Sequence, residues 1–280
     1  MLIFNNVVDL RENLDILQKK DKSIGFVPTM GALHEGHLSL VHAAARLTDQ
    51  VVCSIFVNPT QFTDQADFDR YPSSPERDIK MLETVPADIL FMPPVHQMYP
   101  EGLTGLSSYP LGYLGSILEG HFRPGHFQGV AQAVDRLNSI VRPDILLLGQ
   151  KDYQQCLIIR HLVEFLPWKP RIEICPTLRE QDGLAMSSRN RRLDPMSRSK
   201  APALYQALQY VRDHLETLPF HDLKKDAVHQ LGKAGFTVDY LEIAHQQTLH
   251  TLENPGNGDP IVILAAGRIG GIRLIDNLLI

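Results

Sequence analysis

The sequence predicts an α/β protein, in which a parallel sheet flanked by helices is followed by a smaller α+β domain at the C-terminus. Three observations indicate this class. Short apolar runs alternate with amphipathic segments over residues 1–177, as in right-handed βαβ units. Glycine-containing polar motifs follow two of the apolar runs, at residues 28–37 and 149–152. From residue 178 onward, a basic loop leads into helices and two further strand-like runs.

The predicted elements follow in chain order. Residues 5–20 carry apolar side chains among charges, which predicts an amphipathic helix ahead of the first strand. Buried strands are predicted at 24–27, 51–57, 88–92, 144–148 and 172–175, and helices at 38–47, 78–85 and 130–140. The stretch 95–125 is rich in glycine and proline and predicts a long functional loop. After residue 178, helices are predicted at 203–215 and 223–234, and strands at 238–243 and 261–266.

Composition excludes several classes of function. A net charge of −5 and a pI near 6.2 provide no basic surface for nucleic acid or an anionic membrane. No apolar run reaches the roughly 18 residues that a membrane-spanning helix needs, and residues 1–20 lack the layout of a signal peptide. The three cysteines lie in apolar runs without metal-binding spacing, which predicts buried free thiols. We therefore expect a cytoplasmic protein with no nucleic-acid or membrane partner.

The run 28–37 lies where a predicted strand ends and a helix begins. Its residues are Pro28, Thr29, Met30, Gly31, Ala32, Leu33, His34, Glu35, Gly36 and His37. In an open α/β sheet ligands bind at this edge, and a helix start offers N–H groups and partial positive charge to a phosphate. The two histidines are three residues apart and share one face of the first turn. They could also be surface residues or metal ligands, but the metalloprotease spacing does not fit and no cysteine lies nearby.

Four further motifs follow, at residues 56–62, 123–127, 151–155 and 183–190. Together with the run 28–37 they resemble the pantoate–β-alanine ligases, from Gly25 to Asn277. His34, Gly36 and His37 are similar to the His-x-Gly-His core of the wider nucleotidyltransferase and class I aminoacyl-tRNA synthetase superfamily. The resemblance implies a Rossmann-like nucleotide- and pantoate-binding domain over 1–177 and a smaller C-terminal lid domain over 178–280.

The resemblance also implies an activity. ATP would activate the carboxylate of (R)-pantoate as a pantoyl adenylate with loss of pyrophosphate. β-Alanine would then displace AMP to give pantothenate, a precursor of coenzyme A. Activation is needed because a carboxylate is a poor electrophile. The resemblance further implies Mg²⁺ with the triphosphate, and a homodimer.

The site residues follow from the same resemblance. Catalytic roles fall to His34, His37, Lys151 and Arg189. Gln61 and Gln155 would contact pantoate, and Gln61 also β-alanine. The implied ATP-binding residues are Met30, Gly31, Ala32, Leu33, His34, Glu35, Gly36, His37, Gly149, Gln150, Lys151, Asp152, Leu178, Met186, Ser187, Ser188 and Arg189.

Residue chemistry agrees with these assignments. Lys151 follows a buried strand and a glycine, and Asp152 can accept from ribose hydroxyls. Arg189 follows two serines in a flexible basic loop that resembles the Lys-Met-Ser-Lys-Ser loop of class I synthetases; its hydroxyls and N–H groups can bind phosphate oxygens. At position 150 the family more often has Glu, and Gln150 leaves the turn intact.

Three questions stay open. Protein ligands for Mg²⁺ cannot be named: the candidates Asp64, Asp67, Asp69 and Asp78 are more simply explained as solvated acids. His37 could donate a proton or only a hydrogen bond. The alternative functions are a transferase of the same superfamily acting on a phosphate ester, disfavoured by the two glutamines, and an ATP-sensing or RNA-binding module, disfavoured by the net negative charge.

Overall fold

Six apolar segments pair in parallel and form one sheet. The computed structural model describes residues 1–254 and 258–280. The strands are β1 Leu2–Phe4, β2 Ile24–Thr29, β3 Gln50–Ile55, β4 Ile89–Phe91, β5 Ile145–Gly149 and β6 Arg171–Cys175. Their order across the sheet is β1-β4-β3-β2-β5-β6. Because β3 and β4 extend the sheet to one side of β2, and β5 and β6 to the other, the switch point of the topology lies beside β2.

Helices cover both faces of this sheet. They are α1 Val7–Gln18, α2 Glu35–Leu47, α3 Gln65–Asp69, α4 Pro75–Leu82, α5 Val95–Met98, α6 Glu119–Phe122, α7 His126–Val141 and α8 Tyr153–Val163. Adjacent strand residues point to opposite faces. Phe26 accordingly belongs to one apolar cluster with Leu10 of α1, and Val27 to another with Val41 of α2. The inner strands β2, β3, β4 and β5 are therefore covered on both sides, which explains their nearly continuous hydrophobic sequences.

The rest of the chain forms a three-stranded antiparallel sheet with helices. These elements are α9 Pro195–Lys200, α10 Ala203–His214, α11 Phe220–Ala234, β7 Thr237–His245, β8 Ile261–Ile269 and β9 Ile272–Leu279. The strand order is β7-β8-β9. Leu208 of α10, Leu223 of α11 and Ile263 of β8 lie in one buried cluster. This part of the chain is thus α+β, with its own core.

The chain divides into two compact units, and each unit consists of two separate segments of the sequence. The first unit comprises Met1–Gly149 and Gln155–Pro176, and the second comprises Gln150–Gln154 and Thr177–Ile280. The sequence placed the division between residues 177 and 178 and assigned residues 150–154 to the first domain. The structure groups these five residues with the second unit, where the side chain of Asn277 in β9 donates hydrogen bonds to the carbonyls of Gln150 and Lys151.

The predicted α/β class with a smaller α+β part is confirmed. Two strands were not predicted: β1, which precedes α1, and β9. The stretch 95–125 was predicted as a loop and contains the short helices α5 and α6. Among the described residues, the helices are all too short or too polar to cross a membrane.

Candidate active site

The turn between β2 and α2 has an unusual backbone. Gly31 has a φ of +79° and Ala32 a φ of +50°, so two consecutive residues adopt the left-handed region. The hydroxyl of Thr29 accepts a hydrogen bond from the Gly31 N–H at 3.1 Å and donates to the Ser54 carbonyl at 2.7 Å. A non-glycine residue with positive φ is costly unless its surroundings impose it. The turn is therefore held in place from outside.

Asp78 in α4 provides most of that support. Its two carboxylate oxygens accept from the Ala32 N–H at 2.7 Å and from the Leu33 N–H at 2.9 Å. The residue is only 1% exposed. The sequence favoured solvation for Asp78 and otherwise a magnesium site. The expected solvation was wrong, because Asp78 is buried and its oxygens accept from main-chain N–H groups.

The two histidines lie side by side at the start of α2. His34 is the N-cap, and its Nδ1 accepts from the Gly36 N–H at 3.2 Å. The Nδ1 of His37 accepts from the His34 N–H at 3.3 Å, and the ring centroids are 4.0 Å apart. A neutral imidazole that accepts at Nδ1 carries its proton on Nε2. Both rings are thus hydrogen-bond donors through Nε2, at the positive end of a helix.

Gln61 lies beside this turn. It ends a short 3₁₀ turn, Pro59–Gln61, that follows β3, and it is 9% exposed. Its Oε1 accepts from Asn58 Nδ2 at 3.1 Å, and its Nε2 lies 3.1 Å from the sulfur of Met30. The contact with Asn58 fixes which end of the amide is the oxygen. The structure therefore brings Gln61 to the β2–α2 turn.

Asn58 was not singled out by the sequence. Its Oδ1 accepts from the hydroxyl of Tyr99 at 2.8 Å, and its Nδ2 also donates to the Gly129 carbonyl at 3.0 Å. Burial raises the pKa of the Tyr99 phenol above its ordinary value, so the hydroxyl remains a donor. The only signal in the sequence was the position of Asn58 between a buried strand and a proline.

His126 supports the main chain of Gln61. Its Nδ1 is 2.8 Å from the Gln61 carbonyl, and its Nε2 is 3.0 Å from a guanidinium nitrogen of Arg123. Arginine can only donate, so Nε2 is the acceptor and Nδ1–H donates to the carbonyl. The motif at 123–127 thus helps to place Gln61.

Three neighbouring strands carry the predicted residues of the first unit. At their carboxyl ends, β3 leads to Gln61, β2 leads to the two histidines, and β5 ends at Gly149. This edge, at the switch point, is where ligands bind in open parallel sheets. Gln155 lies in the first two turns of α8. The Gly149 carbonyl accepts a hydrogen bond from the buried thiol of Cys156 at 3.3 Å.

The second unit carries the predicted cationic residues. Gln150, Lys151 and Asp152 form one 3₁₀ turn, in which the Lys151 ammonium is 3.5 Å from an Asp152 carboxylate oxygen. This pairing places the two expected ATP-binding side chains next to each other.

Hydrogen bonds connect the two ends of the loop 178–192, which the sequence suggested to be flexible. The Met186 N–H donates to the Leu178 carbonyl at 3.0 Å, and the side chain of Asn190 donates to the Ala185 carbonyl at 3.0 Å. Arg179 and Ala185 form an isolated β-bridge. These bonds give the loop a defined shape.

The serines of this loop begin a short 3₁₀ segment, Ser188–Arg192. The hydroxyl of Ser187 accepts from the Arg189 N–H at 3.3 Å and caps that segment. Ser188 is buried. The loop thus combines hydroxyl groups, main-chain N–H groups and an arginine within three residues, the chemistry expected of a phosphate contact.

Cysteine and metal chemistry add little to this site. All three cysteines are buried free thiols, as the sequence predicted. Burial, together with the charge of Asp78, raises the pKa of Cys53 to about 12. Over residues 1–254 and 258–280, no group of three or more histidine, cysteine or acidic side chains is placed to hold a metal ion.

Comparisons with known proteins agree with one another. The family model described as Pantoate-beta-alanine ligase matches residues 2–279. The pantothenate synthetase of Acidiphilium cryptum is 45% identical over 99% of both chains. The crystal structure of pantothenate synthetase from Thermus thermophilus has a TM-score of 0.92 and 42% identity, covering 99% of both chains.

A third relative was solved with ligands. The pantoate-beta-alanine ligase of Francisella tularensis, complexed with beta-gamma ATP and beta-alanine, has a TM-score of 0.83 and 37% identity, covering 100% of this chain and 97% of its own.

The parallel sheet and the paired histidines at a strand-to-helix turn are typical of α/β nucleotide-binding enzymes. The matches extend over nearly the whole chain and are far too similar to reflect fold alone. The protein belongs to the pantoate-beta-alanine ligase family. It is therefore a ligase, and the resemblance seen in its motifs is confirmed.

Proposed function

We propose that the protein condenses (R)-pantoate with β-alanine to give pantothenate, with conversion of ATP to AMP and pyrophosphate. The observation that carries this function is the family match over residues 2–279. The product is a precursor of coenzyme A.

The reaction proceeds in two steps. A carboxylate oxygen of pantoate attacks the α-phosphorus of ATP and the bond to pyrophosphate breaks, which gives pantoyl adenylate. The uncharged amine of β-alanine then attacks the acyl carbon, AMP leaves, and the amine proton is lost to solvent. The leaving group is pyrophosphate in the first step and AMP in the second, and both are good leaving groups. The protein therefore contributes chiefly the positioning of the substrates and the neutralisation of their negative charge.

Four residues would act on the phosphates. His34 and His37 carry Nε2–H donors at a helix start, which suits the oxygens of the triphosphate and the charge that develops on the leaving group. Lys151 and Arg189 supply positive charge, with Ser187 and Ser188 as hydroxyl partners of phosphate oxygens. We assign hydrogen-bond donation to His37, because pyrophosphate bound to cations needs little protonation to leave. Asp152 would accept from the ribose hydroxyls.

Two amides would bind pantoate. Asn58 holds the oxygen of Gln61, which leaves its NH₂ group as the donor towards a carboxylate or hydroxyl. Gln155, in the first two turns of α8, would provide the second amide. Gln61 would also lie near β-alanine, whose presence in the Francisella complex supports a site for the amine substrate.

ATP would be used as its Mg²⁺ complex. Mg²⁺ is commonly held by phosphate oxygens and water rather than by a cage of protein ligands. Two of the four candidate ligands already have protein partners, which agrees with this arrangement. Asp78 accepts from main-chain N–H groups and Asp69 accepts from the side chain of Gln65. We also propose that the protein acts in the cytoplasm as a homodimer.

Isotope exchange between pyrophosphate and ATP tests the reaction. Pantoate and ATP–Mg²⁺ alone should support exchange, because forming the adenylate requires no amine. Exchange that appeared only with β-alanine present would contradict a separate adenylate. Exchange with a phosphate ester in place of pantoate would indicate instead a nucleotidyltransferase.

A further inference from the structure

One side chain holds the main chain on both sides of Lys151. Asn277 Nδ2 lies 2.9 Å from the carbonyl oxygen of Gln150 and 3.0 Å from that of Lys151. These two carbonyls belong to the peptide planes before and after the Lys151 Cα. Because each peptide is planar, fixing both planes fixes φ and ψ at Lys151. The direction in which its side chain leaves the backbone is fixed as well.

The amide of Asn277 is fully used in this contact. Its NH₂ group has two hydrogens, one for each carbonyl, and its Oδ1 accepts from Gln150 Nε2 at 3.1 Å. The residue is 2% exposed. Removing this amide would leave the two part-buried carbonyl oxygens without this donor and would free the main chain on both sides of Lys151.

Asn277 is itself held by a buried ion pair. Its N–H donates to Asp276 Oδ1 at 2.8 Å. The carboxylate of Asp276 accepts two bonds from the Arg179 guanidinium, at 2.6 and 3.0 Å. Arg179 in turn lies 3.6 Å from the ring centroid of Tyr205. A bidentate pair stacked on an aromatic ring has a single geometry, so Asn277 is presented in one orientation.

We propose that Asn277 is a positioning residue that sets the Lys151 ammonium for adenylate formation. The inference rests on the proposed function, in which Lys151 binds the phosphates of ATP. Asn277 is 2% exposed and its amide is bonded to the turn Gln150–Asp152, so its effect on the reaction would pass through that turn. A lysine side chain has four rotatable bonds, so its ammonium group can take many positions. A backbone free to rotate at Lys151 would increase their number further. Misplacement by about 1 Å can lower a rate by about 100-fold.

The test compares variants of the full chain in pantoate-dependent exchange between pyrophosphate and ATP. Asn277→Asp keeps the shape but turns a carboxylate oxygen towards two carbonyls, and Asn277→Ala removes the amide without adding charge. Asn138→Asp is the matched control, because Asn138 is 1% exposed and donates to the Trp168 carbonyl at 2.7 Å within the first unit. We expect both Asn277 variants to lose about 10- to 100-fold in kcat, with the KM for pantoate unchanged. Asn138→Asp should lower the midpoint of thermal unfolding while its kcat stays at the wild-type value.

A double variant separates positioning from general support of the fold. If Asn277 acts through Lys151, then Lys151→Ala with Asn277→Ala should be no slower than Lys151→Ala alone. Losses that multiply would overturn the inference, and so would wild-type exchange by Asn277→Asp. Wild-type exchange by Lys151→Ala would instead overturn the role of Lys151 in the proposed function, and the two failures are thus distinguishable.

Discussion

At the residue scale, a main-chain hydrogen bond determines the tautomer of neutral His37. Its Nδ1 accepts from the His34 N–H, which places the proton of the neutral ring on Nε2. Asparagine at this position can imitate the Nδ1 acceptor, and glutamine can place an N–H near Nε2. The two substitutions therefore separate the cap of the helix from the donor to the phosphate.

We predict that His37→Asn lowers the rate of adenylate formation by about 100- to 1000-fold, as expected when one preorganised donor is removed. His37→Gln should retain clearly more activity, because an amide can donate a hydrogen bond but cannot transfer a proton. Single-turnover measurement of adenylate formation provides the test. Equal losses in the two variants would indicate that His37 acts as a proton donor.

Gln61 and Gln155 give a second prediction at this scale. Gln61→Ala and Gln155→Ala should each weaken the use of pantoate by about 1–3 kcal/mol, because a polar group of the bound substrate loses its partner. The KM for pantoate would then rise roughly 5- to 150-fold, while the KM for ATP changes little. Steady-state kinetics with each substrate varied in turn would measure both values. A similar rise in both KM values would refute a specific role in pantoate binding.

At the element scale, α7 crosses the 3₁₀ turn Pro59–Gln61 at Gly129. A Cβ added there would lie 2.2 Å from the Thr60 carbonyl oxygen, so the turn that carries Gln61 would have to shift. Gly232 in α11 offers the opposite case, since a Cβ there meets nothing within 4 Å.

We predict that Gly129→Ala destabilises the fold by about 1–3 kcal/mol or more, as overpacking does, and raises the KM for pantoate. Gly232→Ala should stabilise the protein by up to about 1 kcal/mol without changing the kinetics. Thermal unfolding and steady-state assays on both variants would check this. If Gly129→Ala matched Gly232→Ala in either assay, the close approach of α7 to the turn would not be required.

Helix α4 supports the β2–α2 turn through Asp78. In Asp78→Asn an NH₂ group would face one of the two main-chain N–H donors, leaving a buried donor without an acceptor. We predict a loss of about 1–3 kcal/mol in the free energy of unfolding and a higher KM for ATP. Asp69→Asn, at an exposed position of the same acidic stretch, should change neither quantity. Denaturant unfolding and ATP kinetics would decide, and an unchanged KM for ATP in Asp78→Asn would limit its role to stability.

The sequence predicted the central elements of the sheet because buried parallel strands are apolar on both faces. It missed β1, whose three residues are too few to show a pattern. It missed β9 for a different reason. Asp276 and Asn277 are polar yet buried in that strand, because Arg179 and the turn Gln150–Asp152 satisfy them. Partners about 100 residues away leave no local signal.

The same reason explains what was missed in the site. The sequence indicated the histidines by their place at a helix start, and Gln61 and the serine loop by their resemblance to motifs of the pantoate–β-alanine ligases. It could not indicate the roles of Asn58, Asp78 or Asn277, since these residues bond to segments far away in the sequence. Supporting residues of this kind become visible only in three dimensions.

At the scale of the whole molecule, we predict a homodimer, and the basis of this prediction is family resemblance alone. A homodimer should sediment with twice the 31.5 kDa mass of one chain at low micromolar concentration. Analytical ultracentrifugation over a range of dilutions would measure this. A species of 31.5 kDa throughout that range would remove the dimer.

Residues Gln150–Gln154 belong to the second unit although the chain on either side of them belongs to the first. This arrangement limits where the chain can be cut into fragments or joined to segments of a homologue. The backbone enters the second unit at residue 150, leaves it after residue 154 and returns at residue 177. A gene fragment that encodes only residues 177–280 would lack the carbonyl groups that occupy the amide of Asn277. If the C-terminal segment were exchanged between homologues, Asn277 from one protein would have to bond to the turn 150–152 of another. Because Asn277 and the turn Gln150–Asp152 depend on each other, we expect the two segments of the chain that carry them to be inherited together.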